Sequence, residues 1–171
     1  MVNASLRLAA EDDLPAINDI YNYYVPRSTC TYQLEPETIE ARTAWFREHP
    51  ADRYPVIVAE ADALVVGWGS LSKFHARAGY APTVEASVYI RHDQHRHGLG
   101  RLILSDLIDR ARQAGFHSII GGASADQAAS VALQESLGFR RVAHLVEVGI
   151  KFGQRLDVVY LQLMLGSTAQ P

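Results

Sequence analysis

The chain has 171 residues, of which 48% are hydrophobic, and it carries a formal net charge of −3. This length and apolar content suit one domain that buries its own core, and the single cysteine, Cys30, excludes an internal disulfide. The charge gives no general attraction to nucleic acid or anionic membranes, and neither a signal-peptide pattern nor an apolar run of about 18 residues occurs. We therefore expect one cytoplasmic domain over residues 1–165, with a loose tail over residues 166–171.

The first part of the chain predicts a strand, two helices and a pair of strands. Alternating apolar residues predict the strands, and apolar residues at helical spacing predict the helices. In chain order, the predicted elements are strand 4–9, a helix with Leu14, Ile17, Ile20 and Tyr21 on one stripe, helix 37–47, and strands 54–60 and 64–71. Residues 25–35 and 73–82 are predicted to be loops.

Residues 83–115 combine a strand, a polar turn and a helix. Val84, Ala86, Val88 and Ile90 alternate with polar residues, which predicts a strand with one apolar face. A polar run over 92–97 then leads into a helix that ends at Ala114-Gly115. The first turn of a helix has free N–H groups and partial positive charge, and glycines let a phosphate approach the backbone closely. The sequence therefore predicts a pyrophosphate cradle formed by Arg96, His97, Gly98, Leu99, Gly100 and Arg101.

Two common phosphate-binding motifs do not match this turn. A dinucleotide-binding fingerprint needs a third glycine where Ile103 stands, and a P-loop needs Lys-Ser/Thr where Arg101-Leu102 stands. From the loop alone, an ordinary glycine-containing strand-to-helix turn also remains open.

The last part of the chain predicts three strands and one helix. The predicted elements are strand 117–120, helix 127–136, and strands 139–148 and 156–165. Residues 123–126 offer N-cap side chains for the helix, and Gly138 ends it. The full order, β-α-α-β-β-β-α-β-α-β-β, predicts an α+β or α/β fold.

The turn and the element order together resemble a known family. The segment 95–100, His-Arg-His-Gly-Leu-Gly, is similar to the acyl-CoA loop Gln/Arg-x-x-Gly-x-Gly/Ala of the GCN5-related N-acetyltransferases, with His95 departing from the pattern. The resemblance spans nearly the whole chain. It is closer still to the phosphinothricin/methionine sulfoximine N-acetyltransferase branch, on the residues of 31–37, 54–56, 83–89, 137–139, 148–153 and 156–159. It implies the fold of that family, a mixed and mostly antiparallel sheet flanked by helices, with acetyl-CoA as co-substrate.

Glu85 is the candidate general base. An amine must lose a proton to attack a thioester, and Glu85 lies on the polar face of the central strand just before the phosphate loop; the branch that the chain resembles has a glutamate here with that role. The alternative is a solvent-facing glutamate. The resemblance also implies that the backbone of Val88, Tyr89 and Ile90 meets the thioester and pantetheine, and that Gln127 and Ser130 contact CoA.

The candidate acceptor site lies on loops around this strand. An arginine can bind a carboxylate through two hydrogen bonds, so Arg77, with Phe74 and His75, is the predicted recognition group for an amino acid. Tyr32 is the predicted pocket wall, and Ala86 and Ser87 follow Glu85 on the strand. Tyr32 could equally be a packed surface tyrosine, and Arg77 a solvated loop arginine.

Three further features of the sequence bear on the reaction: the histidines of the loop, Gln134 and Cys30. His92, His95 and His97 have no cysteine or carboxylate at ligand spacing, so we expect no metal. Gln134 stands where the family often has tyrosine or histidine, so the general acid stays open; a thiol with a pKa near 8.5 leaves readily as thiolate. Cys30 has no motif around it, so we expect direct transfer without a covalent enzyme intermediate.

The resemblance implies an enzyme that acetylates a small amino acid-like amine, such as phosphinothricin, methionine sulfoximine or methionine sulfone, and that acts as a homodimer. Two alternatives are a non-catalytic acyl-CoA sensor and an acetyltransferase of protein N-termini or lysines. The loop 73–82 argues against the latter, because it would cover the site.

Overall fold

The structure, a computed structural model, describes residues 4–166 and forms one seven-stranded sheet flanked by helices. The strands are β1 Ser5–Leu8, β2 Val56–Ala61, β3 Leu64–Lys73, β4 Thr83–Ile90, β5 Ser118–Ser124, β6 Arg140–Lys151 and β7 Gln154–Met164. The helices are α1 Leu14–Tyr24, α2 Ile39–Arg47, α3 Leu99–Gln113 and α4 Ala128–Ser136. Of the predicted tail 166–171, only Gly166 lies within the described residues.

The sheet has the order β1-β2-β3-β4-β5-β7-β6. Every neighbouring pair is antiparallel except β4 and β5, which run parallel. The predicted element order and the mixed, mostly antiparallel sheet are therefore confirmed. Among residues 4–166, no helix has the length and apolar character needed to cross a membrane.

The central pair of strands separates part of the way along. β4 and β5 pair only from Thr83↔Ser118 to Glu85↔Ile120. Beyond Glu85, residues 86–90 of β4 pair with β3 alone, and residues 121–124 of β5 pair with β7 alone. The sheet therefore opens into a cleft, and one edge of β4 presents backbone groups that β5 does not use.

The two faces of β4 contact different cores. Val84 lies in the larger core with residues of α3, and Ala86, Val88 and Ile90 pack against that core. Tyr89, on the opposite face, packs against a smaller core that contains Trp68 and residues of α1. The predicted alternation is confirmed, and the larger core fixes the helix that follows the glycine turn.

Several predicted boundaries were wrong. Helix α2 begins at Ile39 rather than Glu37, because the Thr38 hydroxyl accepts a hydrogen bond from Ala41 N at 3.2 Å and acts as the N-cap. Strand β5 continues to Ser124, so residues 123–126 do not cap α4; Gln127 occupies the N-cap position without a side-chain cap bond. Strand β6 continues to Lys151 and strand β7 begins at Gln154, so both strands extend further toward their shared turn than predicted, because they form a long hairpin.

Candidate active site

A cavity of about 890 Å³ occupies the cleft between β4 and β5. Most of the predicted site residues line it: Tyr32, Glu85, Ala86, Ser87, Val88, Tyr89, Ile90, Arg96, Gly98, Leu99, Gly100, Arg101, Gln127 and Ser130. The cleft runs from the strand edge to the first turn of α3. It therefore offers an elongated ligand a backbone edge at one end and a helix N-terminus at the other.

The turn before α3 has the geometry of an anion cradle. Gly98 occupies the N-cap with φ 82°, and Arg96 has φ 64°, so two nearby residues adopt left-handed backbone. Left-handed residues set among residues of ordinary backbone conformation turn successive N–H groups toward one side. At Gly100, an added Cβ would lie 3.0 Å from Leu133 Cδ2, so a side chain there would push into α4. The backbone present here fits a diphosphate, with the dipole of α3 aimed at it.

Tyr24, at the end of α1, is a cavity residue that the sequence did not reveal. Its hydroxyl donates to Ile90 O at 2.5 Å and lies 2.7 Å from His95 Nε2, which therefore donates to it. Tyr24 thus ties α1 to the end of β4 and to the phosphate turn. Only its position in the last turn of a helix could have drawn attention to it, which is a weak signal.

Glu85 lies at the point where β4 and β5 part, and its carboxylate faces the cavity. Within the described part of the chain, the carboxylate has no hydrogen-bond or ion-pair partner. Burial raises the pKa of Glu85 above its ordinary value. A half-buried, unpaired carboxylate with a raised pKa is suited to accept a proton from a ligand in the cavity.

Tyr32 forms a wall of the same cavity. Its hydroxyl lies 3.1 Å from both Ser124 Oγ and Asp157 O. The ring lies against the main chain of β6: a Cβ built at Gly149 would sit 2.4 Å from Tyr32 Cε2. The absence of a side chain at Gly149 therefore allows Tyr32 to reach the cleft.

Hydrogen bonds from other elements fix the rest of the loop over residues 25–35. The buried Lys151 ammonium donates to Ser28 O at 2.7 Å and to Thr31 O at 2.5 Å. The Thr31 hydroxyl lies 2.7 Å from the Tyr21 hydroxyl. These bonds connect the loop to the hairpin β6–β7 and to α1, so the roof of the cavity is fixed by distant parts of the chain.

Helix α4 supplies polar groups to the other wall. Gln127 Nε2 donates to Thr29 Oγ1 at 2.7 Å, so its amide is partly engaged by the loop above. Gln134 is buried, and its Oε1 has no hydrogen-bond partner among the described residues. Gln134 Oε1 would lie 2.0 Å from a Cβ at Gly121, so this glycine makes room for the amide.

Four predicted site residues do not line the cavity. Phe74, His75 and Arg77 lie on the loop after β3, where the His75 ring contacts Tyr80 at 4.6 Å between centroids. Arg77 is exposed. His97 lies in the phosphate turn but is also exposed, away from the cavity wall. Their place in the sequence predicted that these residues lie near the cleft, but none of the four is part of the cavity wall; Phe74 is half-buried beside Tyr80, and the other three are exposed.

The histidines of the phosphate turn have separate partners. His95 bonds to Tyr24, whereas His92 stacks on Tyr23 with 3.9 Å between ring centroids. Over residues 4–166, no three or more histidine, cysteine or acidic side chains come together as a metal site.

A second cavity, of about 230 Å³, lies on the α2 side of β4. It shares Ser87 and Tyr89 with the first cavity. Its walls also include Glu37, Arg42, Trp45, Trp68, Ser70 and Ser72. Sequence reasoning missed this cavity. One signal was available: Ile39, Arg42 and Phe46 share a helical stripe, which places an arginine on the inward face of α2.

Comparison with known proteins identifies the class. The model of the Acetyltransferase (GNAT) family matches residues 17–139. The L-methionine sulfoximine/L-methionine sulfone acetyltransferase of Salmonella typhimurium is 37% identical over 167 residues, covering 98% of each chain. The phosphinothricin N-acetyltransferase of Streptomyces coelicolor is 32% identical over 160 residues, covering 92% of this chain and 94% of its own.

A solved structure agrees with these sequence matches. The structure of yncA from Salmonella typhimurium with acetyl-CoA superposes with a TM-score of 0.93 at 37% identity, covering 98% of this chain and 97% of its own. The chain therefore belongs to the GNAT acetyltransferase family. It is an N-acetyltransferase, as the resemblance of its sequence predicted.

Proposed function

We propose that the protein transfers an acetyl group from acetyl-CoA to the amino group of a small amino acid-like substrate, such as methionine sulfone, methionine sulfoximine or phosphinothricin. The observation that carries the proposal is the position of Glu85. It is the last residue of β4 that pairs with β5, and its unpaired carboxylate faces the cavity just where the cleft opens. The names of the relatives support the acceptor class.

The cavity fits acetyl-CoA in three respects. The turn over 96–101 would hold the diphosphate through main-chain N–H groups, as Gly98 and Arg96 arrange them. The free edge of residues 86–90 would hydrogen-bond the pantetheine arm as an added strand does. Gln127 and Ser130, on the wall from α4, would contact the same arm. Bound in this way, acetyl-CoA supplies an activated acetyl group at the thioester.

Glu85 then acts as the general base. An amino acid amine is mostly protonated at neutral pH, and only its neutral form attacks a carbonyl carbon. The carboxylate of Glu85 accepts that proton, directly or through a water molecule. The N–C bond forms as the C–S bond breaks, and the thiolate leaves. Gln134 carries no acidic proton, so solvent protonates the thiolate.

The acceptor would lie between the strand and two loops. We assign Tyr32 to its wall, with Ala86 and Ser87 beneath it on β4. Phe74, His75 and Arg77 remain our candidates for binding its carboxylate, although none of them lines the cavity. Their role is open to a direct test with Arg77→Ala, which should raise the amine KM and leave the acetyl-CoA KM unchanged.

We also propose a homodimer formed through the hairpin β6–β7. β6 is an edge strand, and it exposes apolar side chains: Val146 is 71% exposed, and Ile150 is 63% exposed. Phe152, in the turn, is 55% exposed. Exposed apolar patches of this kind mark interaction surfaces. Light scattering should give twice the chain mass for the native protein and the monomer mass for Ile150→Glu.

A CoA-release assay over a panel of amines tests the enzymatic proposal. Glu85→Gln should lower kcat by about 10²–10⁴-fold, the usual contribution of a general base, with an unchanged acetyl-CoA KM. Glu40→Gln, on the exposed first turn of α2, is the matched control and should behave like the native enzyme. Tight acetyl-CoA binding without turnover of any amine would instead favour the acyl-CoA sensor.

A further inference from the structure

His49 and Ser72 form a hydrogen-bonded pair beside Glu85 that the proposed reaction does not use. His49 follows helix α2, and its Nε2 lies 2.9 Å from Ser72 Oγ. Ser72 is the cross-strand partner of Glu85 where β3 pairs with β4. Side chains directly opposite each other in an antiparallel pair share one face of the sheet, with their Cβ atoms about 4.5–5.5 Å apart. The pair therefore begins next to the candidate base.

The second bond of His49 fixes the direction of the first. His49 Nδ1 lies 2.7 Å from Trp45 O, and a carbonyl oxygen only accepts, so Nδ1 carries the ring proton. In the neutral ring, Nε2 is then an acceptor, and the Ser72 hydroxyl donates to it. Within residues 4–166, Ser72 Oγ has no other hydrogen-bond partner. Its lone pairs are therefore free to accept a proton from the side of Glu85.

The surroundings of His49 suit a group that takes up a proton and releases it. Burial lowers the pKa of His49 below its ordinary value, while the hydrogen bond to Trp45 O and the charge of Glu48 raise it and the charge of Arg42 lowers it. The ring packs on that of Trp45, with 4.3 Å between centroids, and is only half-buried. His49 is thus neutral at rest and has contact with solvent.

A water molecule is needed between Glu85 and Ser72. The Glu85 carboxylate leans toward β5, where its Oε1 would lie 3.8 Å from a Cβ at Gly122, and it makes no direct bond to Ser72. Ser70 and Ser87 are cross-strand partners, and both line the second cavity together with Ser72. Three hydroxyl groups next to the base offer a water molecule the polar partners that it requires.

Glu85 must lose its proton before each new turnover. Under the proposed function, acetyl-CoA and the amine fill the main cavity in front of the carboxylate, so the proton needs another exit. We propose that Ser72 and His49 form a proton relay that carries the amine proton from Glu85 to solvent. This inference rests on the proposed function and adds the path by which its base is regenerated.

Each transfer in the relay conserves protons. Protonated Glu85 gives its proton to the bridging water, which passes one proton to Ser72 Oγ as the Ser72 hydroxyl proton moves to His49 Nε2. Glu85 is then a carboxylate again, and His49 is an imidazolium with a proton on each nitrogen. The imidazolium releases its Nε2 proton to solvent, and the Ser72 hydroxyl turns back toward Nε2. Neither residue touches the reacting atoms, so both act through Glu85.

His49→Gln tests the relay in the CoA-release assay, in weak buffer and with the amine of highest turnover. Glutamine can form hydrogen bonds but cannot carry a proton, so kcat should fall by about tenfold, less than at the base itself, with an unchanged acetyl-CoA KM. Added imidazole should restore kcat in the variant and leave the native enzyme unchanged. His117→Gln, an exposed histidine just before β5, is the matched control and should behave like the native enzyme.

A pair of variants at Ser72 does not depend on how well His49→Gln folds. Ser72→Ala removes the hydroxyl and should show the same loss and the same restoration by imidazole. Ser72→Thr keeps a hydroxyl at this position and should retain the native kcat. If the His49–Ser72 bond only held α2 against β3, the variants would melt at lower temperature, but imidazole would not restore their rates.

The outcomes separate the relay from the proposed function. A native kcat in His49→Gln or Ser72→Ala, a loss that imidazole does not restore, or an equal loss in His117→Gln overturns the relay and leaves the acetyltransferase proposal intact. If the native enzyme acetylates no amine of the panel, the proposed function itself has failed, and the assay shows this before any variant is made.

Discussion

The two sides of the cleft are built from different parts of the chain. The proposed cofactor side, residues 86–101, is one continuous segment that offers mainly backbone groups: a free strand edge and a left-handed turn at Gly98. The proposed acceptor side, which includes Tyr32 and Glu85, consists of side chains from separate segments. The hydrogen bond between Tyr32 and Asp157 O alone joins residues 125 positions apart.

The two sides should therefore respond differently to mutation. Because the cofactor side is main chain, most side-chain changes there leave binding intact, but changes at the conformationally demanding glycines do not. On the proposed acceptor side, the side chains themselves would carry the chemistry. Changes there should affect the amine and leave acetyl-CoA binding unaffected. The following predictions test this division in order of expected size.

The largest effect should appear in the pH dependence of the reaction. Burial raises the pKa of Glu85, so the native kcat/KM for the amine should fall on the acid side at a pH above the ordinary value of 4.5 for glutamate. In Glu85→Gln this limb should disappear, leaving only the limb set by the pKa of the amine, with rates lower by about 10²–10⁴-fold. Steady-state assays from pH 4 to 9 measure it. If the variant kept a second acid limb, at lower pH than the limb set by the amine, the base would have to be another residue.

A smaller effect, confined to the cofactor, is expected at Gly98. Its φ of 82° is strained for any L side chain, by about 1–2 kcal/mol, so Gly98→Ala should raise the acetyl-CoA KM by about 5–30-fold. The amine KM should not change. Gly79→Ala, where an added methyl meets no atom within 4 Å, is the control. Equal rises in both KM values would mean that the two sides are not independent.

Gly149→Ala tests the acceptor side in the same way. The added Cβ would lie 2.4 Å from the Tyr32 ring, so Tyr32 must move and lose its contacts with Ser124 and Asp157. Overpacking of this kind costs about 1–3 kcal/mol. We expect a lower melting temperature and a higher amine KM, measured by calorimetry and CoA release. A native amine KM would remove Tyr32 from the acceptor wall.

The smallest effect is a gain in stability at Glu85→Gln. Below the unfolded-state pKa, the carboxyl group is neutral in both states and burial adds no charge penalty. As the pH rises through the raised folded-state pKa, holding the ionised form in the cleft costs stability. The variant should therefore melt higher than the native protein at pH 8 and equally at pH 4, by about 2–4 °C for each kcal/mol. A gain of the same size at both values would point to another cause.

The sequence by itself determined the element order and indicated the segment of the proposed cofactor side. Period-two alternation in 84–90 and helical spacing after Gly100 act over a few neighbouring residues, so both can be recognised in a short segment. The glycine turn was recognisable for the same reason. Boundaries were less certain: Ile39 rather than Glu37 begins α2, because Thr38 is the N-cap and the asparagines of α1 hold Glu37 outside the helix.

Only the tertiary structure decided which separate segments meet around the two cavities. Tyr24 reaches Ile90 across 66 positions, and Arg42 becomes a cavity residue only because α2 packs its inward face against Trp68. Phe74, His75 and Arg77 were predicted for the pocket from their place just before β4, yet none of them lines the cavity. Strand register and helix packing fix such contacts between distant residues, and no local pattern in the chain encodes the distances that result.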